Sequence, residues 1–497
     1  MSNDLRTTPG GMSAQAFRDA GHQLVDVLAD FLARIHELPV TPDKDPSEIR
    51  ALLGPDTLPD HPVDPAQLLR ATAEKLIANS LHNGHPRFWA YITSSADPVG
   101  ILGDLIASSI NPNVALWHLS PLATEIELQA IRWIADLIGY PRNCGGILVS
   151  GGNMANLVCF MAARRAMAGW PIDADGLQAG PKLVMYVSSE AHTWVDKAAD
   201  LFGLGAKQVR WIDVDGELRM NVELLEQAIH RDRLDGVQPF MVVGTAGSVS
   251  TGTVDPLGAL SDLCRKEHLW FHVDGAYGAF AAALPGAPRD LASMRFADSI
   301  ALDPHKWLHA PLEAGCALVR NLEDLERTFS HKPFYLMTDP DEPEQPAMFV
   351  ERGPQNSRGF RALKVWLGMQ AAGRSGIVKS IAEDVALSRH MASCLRAHPE
   401  IQLTSQSLSI ATFRYVPDNV DPISESTYLN ELNKRVLQRL QSGGQVFLSQ
   451  ANVRGAYTLR ACIVNFRTTA ADVEALPDLV AGIGRALHES RHEWMSA

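Results

Sequence analysis

A chain of 497 residues is too long for one small core and is expected to divide into two or three lobes. Its 46% hydrophobic and 20% charged residues are ordinary for a soluble globular protein. The net charge of −13 argues against nucleic acid or an acidic membrane surface as partner, because phosphate binding needs a basic surface. Cys144, Cys159, Cys264, Cys316, Cys394 and Cys462 are scattered with no CxxC pair. Neither a zinc site nor a disulfide framework is expected from them, and the pattern suits a reducing cytosol. The opening residues MSNDLRTTPGG lack a basic stretch followed by an apolar core, so no secretory signal is expected. No window of about 18 uninterrupted apolar residues exists, so no transmembrane helix is expected either.

From Ala14 to His36, Phe17, Leu24, Val27, Leu28, Phe31 and Ile35 recur at helical spacing. Residues 39–65 hold seven prolines (Pro39, Pro42, Pro46, Pro55, Pro59, Pro62 and Pro65) and read as mostly extended; a helix follows near 66–80. An aromatic cluster, Asn83 to Tyr91, precedes a small-residue helix over 97–110. Ser120 and Pro121 then look like the N-cap and first turn of a helix reaching Gly139. Apolar runs at 147–150, 183–188, 207–212, 239–244, 269–273, 298–302 and 315–319 read as seven strands. Helices at 153–167, 193–201, 221–230 and 256–267 lie between them. This alternation implies an α/β lobe with a parallel or mixed sheet covered on both faces. A long helix over 358–372 leads into a smaller α+β lobe, with strands at 402–404, 408–415 and 459–464 and a last helix over 470–489. The expected division is 1–97, 98–372 and 373–497.

The chemistry gathers around Ser299-Ile-Ala-Leu-Asp-Pro-His-Lys-Trp-Leu308. A lysine at the end of a buried strand is costly to bury as an ammonium. Alone, Lys306 reads as a side chain whose head reaches water. His272-Val-Asp-Gly-Ala-Tyr277 changes that reading, because it ends a second apolar run in a carboxylate. Asp274 and Lys306 then fall at the carboxyl ends of two strands of one sheet, where open α/β sheets take their ligands. A carboxylate for a pyridinium nitrogen and a lysine for a Schiff base are the groups that pyridoxal phosphate (PLP) needs. Ser150-Gly-Gly-Asn153, between a strand and a helix, suits either a tight turn or a phosphate cradle. It is neither a GxGxxG nor a Walker motif. His192, opening a helix after a strand, reads by itself as a capping or core histidine.

With these residues the chain resembles the group II PLP-dependent amino acid decarboxylases, the aromatic-L-amino-acid decarboxylase-like family. The likeness runs from about Phe17 to the C-terminus, and Asp303-Pro-His-Lys-Trp307 is its most specific motif. It implies the fold type I, PLP-dependent transferase-like architecture, with a seven-stranded mostly parallel sheet, an N-terminal helical arm and a small C-terminal α+β domain. It implies a homodimer in which residues 1–97 wrap the partner, PLP as cofactor, no metal, and an amino acid substrate. By the same resemblance Lys306 forms the Schiff base, Asp274 pairs with N1 and His192 stacks on the ring. Gly151, Gly152 and Asn153 meet the phosphate, while Thr245, Ala276 and His305 lie near the cofactor. Trp89, Tyr91, Ile92, Thr93 and Ser357 become substrate-pocket candidates. Decarboxylation then runs through a quinonoid, and Tyr335 is the candidate acid that protonates it, although chemistry alone equally allows Tyr335 to anchor its loop.

Asp303 departs from the asparagine common in eukaryotic relatives, and an anion beside a phosphate is repulsive unless it turns away or bonds backbone N–H groups. The leading expectation is a cytoplasmic decarboxylase of an aromatic L-amino acid. An aldehyde synthase is the alternative, and relatives of that type tend to carry phenylalanine where Tyr335 stands. An acidic substrate is a further alternative and would need a cation in the pocket, for which Arg87 is the candidate. A non-catalytic binding module is disfavoured because Asp274, His192, His305, Lys306 and Tyr335 are all present.

Overall fold

The structure is a computed structural model and describes residues 11–331 and 346–495. The N-terminal arm holds α1 (Ala14–Arg34), α2 (Pro46–Ala51) and α3 (Pro65–Asn79), with α1 packed along α3. The short helix α2 interrupts the segment 39–65, which otherwise carries no helix or strand before α3. Pro46 falls at its first turn, where a missing N–H costs nothing, and Asp45 closes a capping box with Glu48. Next come α4 (Pro98–Ile110) and α5 (Pro121–Leu137). Ser120 precedes Pro121 as expected but does not cap with its side chain; its hydroxyl donates to the Asn113 carbonyl instead.

The large lobe is built on β1 (Gly145–Val149), β2 (Leu183–Ser188), β3 (Val209–Ile212), β4 (Gln238–Thr245), β5 (Trp270–Asp274), β6 (Ser299–Leu302) and β7 (Gly315–Val319). These form one seven-stranded sheet in the order β1-β7-β6-β5-β4-β2-β3. The run β3-β2-β4-β5-β6 is parallel, and β7 lies antiparallel to both β6 and β1. The connecting helices are α6 (Gly152–Met167), α7 (Ile172–Asp175), α8 (Trp194–Leu201), α9 (Val222–Leu234), α10 (Leu257–Glu267) and α11 (Leu322–Phe329). Strands β1, β2, β5, β6 and β7 are buried along their whole length, so their sequences read as continuous apolar runs rather than alternating ones.

A 36-residue helix, α12 (Ala362–Ala397), carries the chain into the second lobe and bends at Gly373, whose φ of 62° and ψ of 170° are not helical. Beyond it lie β8 (Ile401–Ser407), β9 (Ile410–Tyr415), α13 (Ser426–Ser442), β10 (Ser449–Val453) and β11 (Ala456–Cys462). The helices α14 (Ala470–Glu474), α15 (Leu476–Glu489) and α16 (Arg491–Met495) end the described chain. The strands form an antiparallel sheet in the order β10-β11-β9-β8. The expected last helix over 470–489 is thus two helices, divided at Ala475.

Candidate active site

Strand register brings the chemistry together. Thr245 pairs with Asp274, and Asp274 with Ala301, so the carboxyl ends of β4, β5 and β6 lie side by side. Lys306 follows on the connection from β6 to its antiparallel neighbour β7. Across the sheet, the glycine turn after β1 crosses the start of β7 so closely that a Cβ on Gly315 would fall 2.3 Å from the Gly151 carbonyl carbon. Gly151 itself has φ of 119°, a conformation side chains avoid. These elements enclose a cavity of about 500 Å³ lined by Tyr91, Ile92, Thr93, Gly151, Gly152, Asn153, His192, Thr245, Asp274, Ala276, His305 and Lys306, among others.

Asp274 is buried, with both carboxylate oxygens held from the protein side: Trp194 Nε1 donates to Oδ2 at 2.8 Å and the Ala276 N–H to Oδ1 at 3.2 Å. Burial pushes the His192 imidazole below its ordinary pKa, against the opposing pull of Asp274. Its Nδ1 accepts the Trp194 backbone N–H at 3.3 Å, which leaves the ring proton of the neutral form on Nε2. His305 is likewise lowered by burial; its Nδ1 lies 2.8 Å from the Ala314 carbonyl oxygen, and its own carbonyl accepts from Ser94.

Asp303 does not bond backbone N–H groups with its carboxylate; its charge is offset instead by Lys306, whose Nζ lies 3.0 Å from Oδ2, and its buried Oδ1 accepts no hydrogen bond. A Cβ on Gly152 would meet that Oδ2 at 2.5 Å, so the glycine is what admits the ion pair beside the turn.

Three sequence expectations lie elsewhere. Trp89 is in the core of the small lobe, with its indole N–H on Thr468 Oγ1, and Ser357 is exposed on the segment before α12; neither lines the cavity. Arg87 pairs with Asp472 at 2.8 Å, outside the cavity. Tyr335 lies outside the described residues. The sequence reading missed Ser449, Gln450 and Arg460, which the small lobe contributes to the cavity wall. Arg460 is 2% exposed; its Nη1 donates to the Tyr91 carbonyl at 2.8 Å and to Ser449 Oγ, while Nε and Nη2 have no partner. No motif marks this arginine, and only the pairing of β10 with β11 brings it here.

The donor set fits PLP. It offers a primary amine, a carboxylate and a flat imidazole, together with helix N-terminal N–H groups at α6 that have no intrahelical acceptor.

The family model described as "Pyridoxal-dependent decarboxylase conserved domain" matches residues 46–416. The chain belongs to the pyridoxal-dependent decarboxylase family. It is 34% identical over 459 residues to an aromatic-L-amino-acid decarboxylase of Bacillus atrophaeus, covering 92% of this chain and 93% of that one. It is 28% identical over 461 residues to a phenylacetaldehyde synthase of Arabidopsis thaliana, covering 91% and 92%. Among solved structures, Oryza sativa TDC with PLP and tryptamine superposes with a TM-score of 0.90 at 25% identity, covering 97% of this chain and all of that one. This family member is therefore a PLP-dependent amino acid decarboxylase with the fold type I architecture.

Proposed function

We propose that the chain converts an aromatic L-amino acid to its amine and CO₂, as a cytoplasmic homodimer. The observation that carries this reading is the pairing of Asp274 and Lys306 at neighbouring strand ends, facing a cavity whose more exposed lining includes Tyr91 and Val249. The decarboxylase of B. atrophaeus and the tryptamine-bound TDC support an aromatic substrate.

Bound PLP supplies a sink for the electron pair that departing CO₂ leaves behind. In this reading Lys306 Nζ holds the cofactor and Asp274 keeps a proton on its pyridine nitrogen. The N–H groups of Gly151, Gly152 and Asn153 take its phosphate, with His305 beside them. His192, with its proton on Nε2, would lie against the bound ring, and Thr245 and Ala276 would line the rest of that part of the cavity. Ile92, Thr93 and Tyr91 meet the substrate. Tyr335 remains the proposed proton donor to the substrate carbon.

Two structural features support the assembly. Phe17, Leu68 and Leu76 on the arm, and Leu102, Leu105 and Ile110 on α4, are exposed. A cleft of about 820 Å³, lined in part by Leu68 and Leu76 and by apolar side chains of α1, opens there. Six free thiols agree with a reducing compartment, and among the described residues no helix is long and apolar enough to cross a membrane. Of the divisions 1–97, 98–372 and 373–497, the bend at Gly373 supports the second boundary.

One observation favours a second reading. Arg460 puts a guanidinium in the cavity wall, and a cation there would suit an acidic substrate side chain. Protein supplied with PLP is to be assayed for CO₂ release from tryptophan, tyrosine, phenylalanine, glutamate and aspartate, with oxygen uptake followed in parallel. Amine from the aromatic set without oxygen uptake is expected. Turnover confined to glutamate or aspartate overturns the aromatic assignment, and stoichiometric oxygen consumption overturns simple decarboxylation.

A further inference from the structure

We infer that Trp194 is a positioning residue that sets two cofactor-facing groups at once, the carboxylate of Asp274 and the imidazole of His192. The inference rests on the assignment of Asp274 to the ring nitrogen proposed above.

Trp194 opens α8, is fully buried and stands behind the cavity wall rather than in it. Its indole N–H donates to Asp274 Oδ2 at 2.8 Å, and its backbone N–H donates to His192 Nδ1 at 3.3 Å. The indole is itself fixed. It meets the His272 ring edge to face, with centroids 5.8 Å apart and planes at 82°. His272 is clamped between Asn156 Oδ1 at 2.8 Å and Ser299 Oγ at 2.9 Å, and burial pushes its pKa down to about 4, so it stays neutral. No cation from this layer competes for Asp274. With Oδ2 held by the indole and Oδ1 by the Ala276 N–H, each oxygen keeps a lone pair for a donor on the cavity side. Without the indole N–H, Oδ2 loses its only protein donor among the described residues and the carboxylate is no longer held in one orientation. The His192 contact comes from the backbone and survives any side-chain replacement but proline, so the two roles are separable.

The test is a double-mutant cycle on PLP affinity, measured by equilibrium dialysis of apo-protein, with Trp194→Phe and Asp274→Ala singly and combined. Trp194→Phe keeps an aromatic ring against His272 but removes the donor together with part of the buried indole's volume, and the Asp274→Ala background separates the two losses. Its PLP dissociation constant is expected to rise about tenfold or more, the loss typical of a bond to a charged acceptor. The pH at which the visible band of the bound cofactor changes should also move, and kcat should fall with little change in KM. In the Asp274→Ala background the same replacement should have almost no effect. An unchanged dissociation constant in Trp194→Phe, or equal losses in both backgrounds, overturns the inference and makes Trp194 a packing residue. If Asp274→Ala alone binds PLP as wild type does, the assignment of Asp274 fails first, and the inference with it. Should phenylalanine not be tolerated, Trp194→Met, flexible and also without an N–H, carries the same cycle.

Discussion

Behind Lys306 a second carboxylate makes a prediction at the scale of one residue. Asp384, on α12, is buried; Trp307 Nε1 donates to its Oδ2 at 2.8 Å and the Asn465 N–H to its Oδ1 at 3.4 Å. Burial outweighs both donors and pushes its pKa up to about 7. In the unfolded chain the carboxyl releases its proton near its ordinary value, so between about pH 4 and pH 7 the folded state alone holds the proton. Stability from this group is present in full below about pH 4 and is lost progressively as pH rises from there through 7. The full loss is roughly 4 kcal/mol at most, by the usual conversion of a pKa difference into free energy. Asp384→Asn removes the titration. Thermal unfolding of both proteins at pH 5 and pH 8 should show wild type losing stability relative to the variant at the higher pH. A difference that does not change between the two pH values refutes the assignment. Because Trp307 adjoins Lys306 and stacks on Tyr277, with centroids 4.8 Å apart, the same proton bears on how firmly the lysine turn is held.

The glycine turn between β1 and α6 is tested at the scale of the element. Alanine at Gly152 would place its Cβ 2.5 Å from Asp303 Oδ2 and 3.0 Å from the Ala276 Cβ, so Asp303 must move and its contact with Lys306 must lengthen. Gly152→Ala should cost about 1–3 kcal/mol of stability by overpacking and weaken PLP binding as well. Gly482→Ala, exposed in α15 with nothing within 4 Å of the new methyl, should instead gain up to about 1 kcal/mol. Calorimetry on the pair checks both signs, and equal effects would mean that the turn is not tightly packed. This turn also shows what a sequence discloses. Buried strands bounded by breakers, such as Leu183–Ser188 and Gly315–Val319, were legible to the residue because burial on both faces leaves an unbroken apolar run. In β10, Ser449–Val453 alternates buried and exposed positions and carries Ser, Gln and Asn, so it gave no such signal. Arg460 went unnoticed for the same reason, since its place at the cavity depends on a pairing the local sequence does not announce. Asp274 was legible because it ends a strong apolar run, and Lys306 because it comes just past another, after Asp303-Pro304-His305; the register of β5 on β6 then decides their proximity.

At the scale of the molecule, the unburied apolar surface is what one copy of the chain leaves unexplained. On α4, Leu102 is 53% exposed, Leu105 52% and Ile110 69%, although its mean composition is that of a buried helix. Its other face is committed: Gly100 and Gly103 allow close approach to Pro311 and to the Lys364 backbone of α12. The arm adds Phe17 on α1 and Leu68, Leu69 and Leu76 on α3. An apolar surface spread over several elements marks an interaction site rather than ordinary surface. A two-fold contact covers the same patch on both copies. Because α4 rests against Pro311, five residues beyond Lys306, a partner docked on its exposed face would be mechanically close to the lysine turn. Wild type should therefore sediment as a dimer. Leu102→Asp combined with Leu105→Asp places two charges per copy in the patch, where burial without partners costs several kcal/mol each. The variant should sediment at half the mass with unchanged far-ultraviolet circular dichroism, and its PLP affinity should fall because the turn carrying Lys306 loses support. A variant that remains dimeric at micromolar concentration shows that α4 is outside the interface. A monomer that binds PLP as tightly as wild type shows instead that the dimer contact does not reach the site.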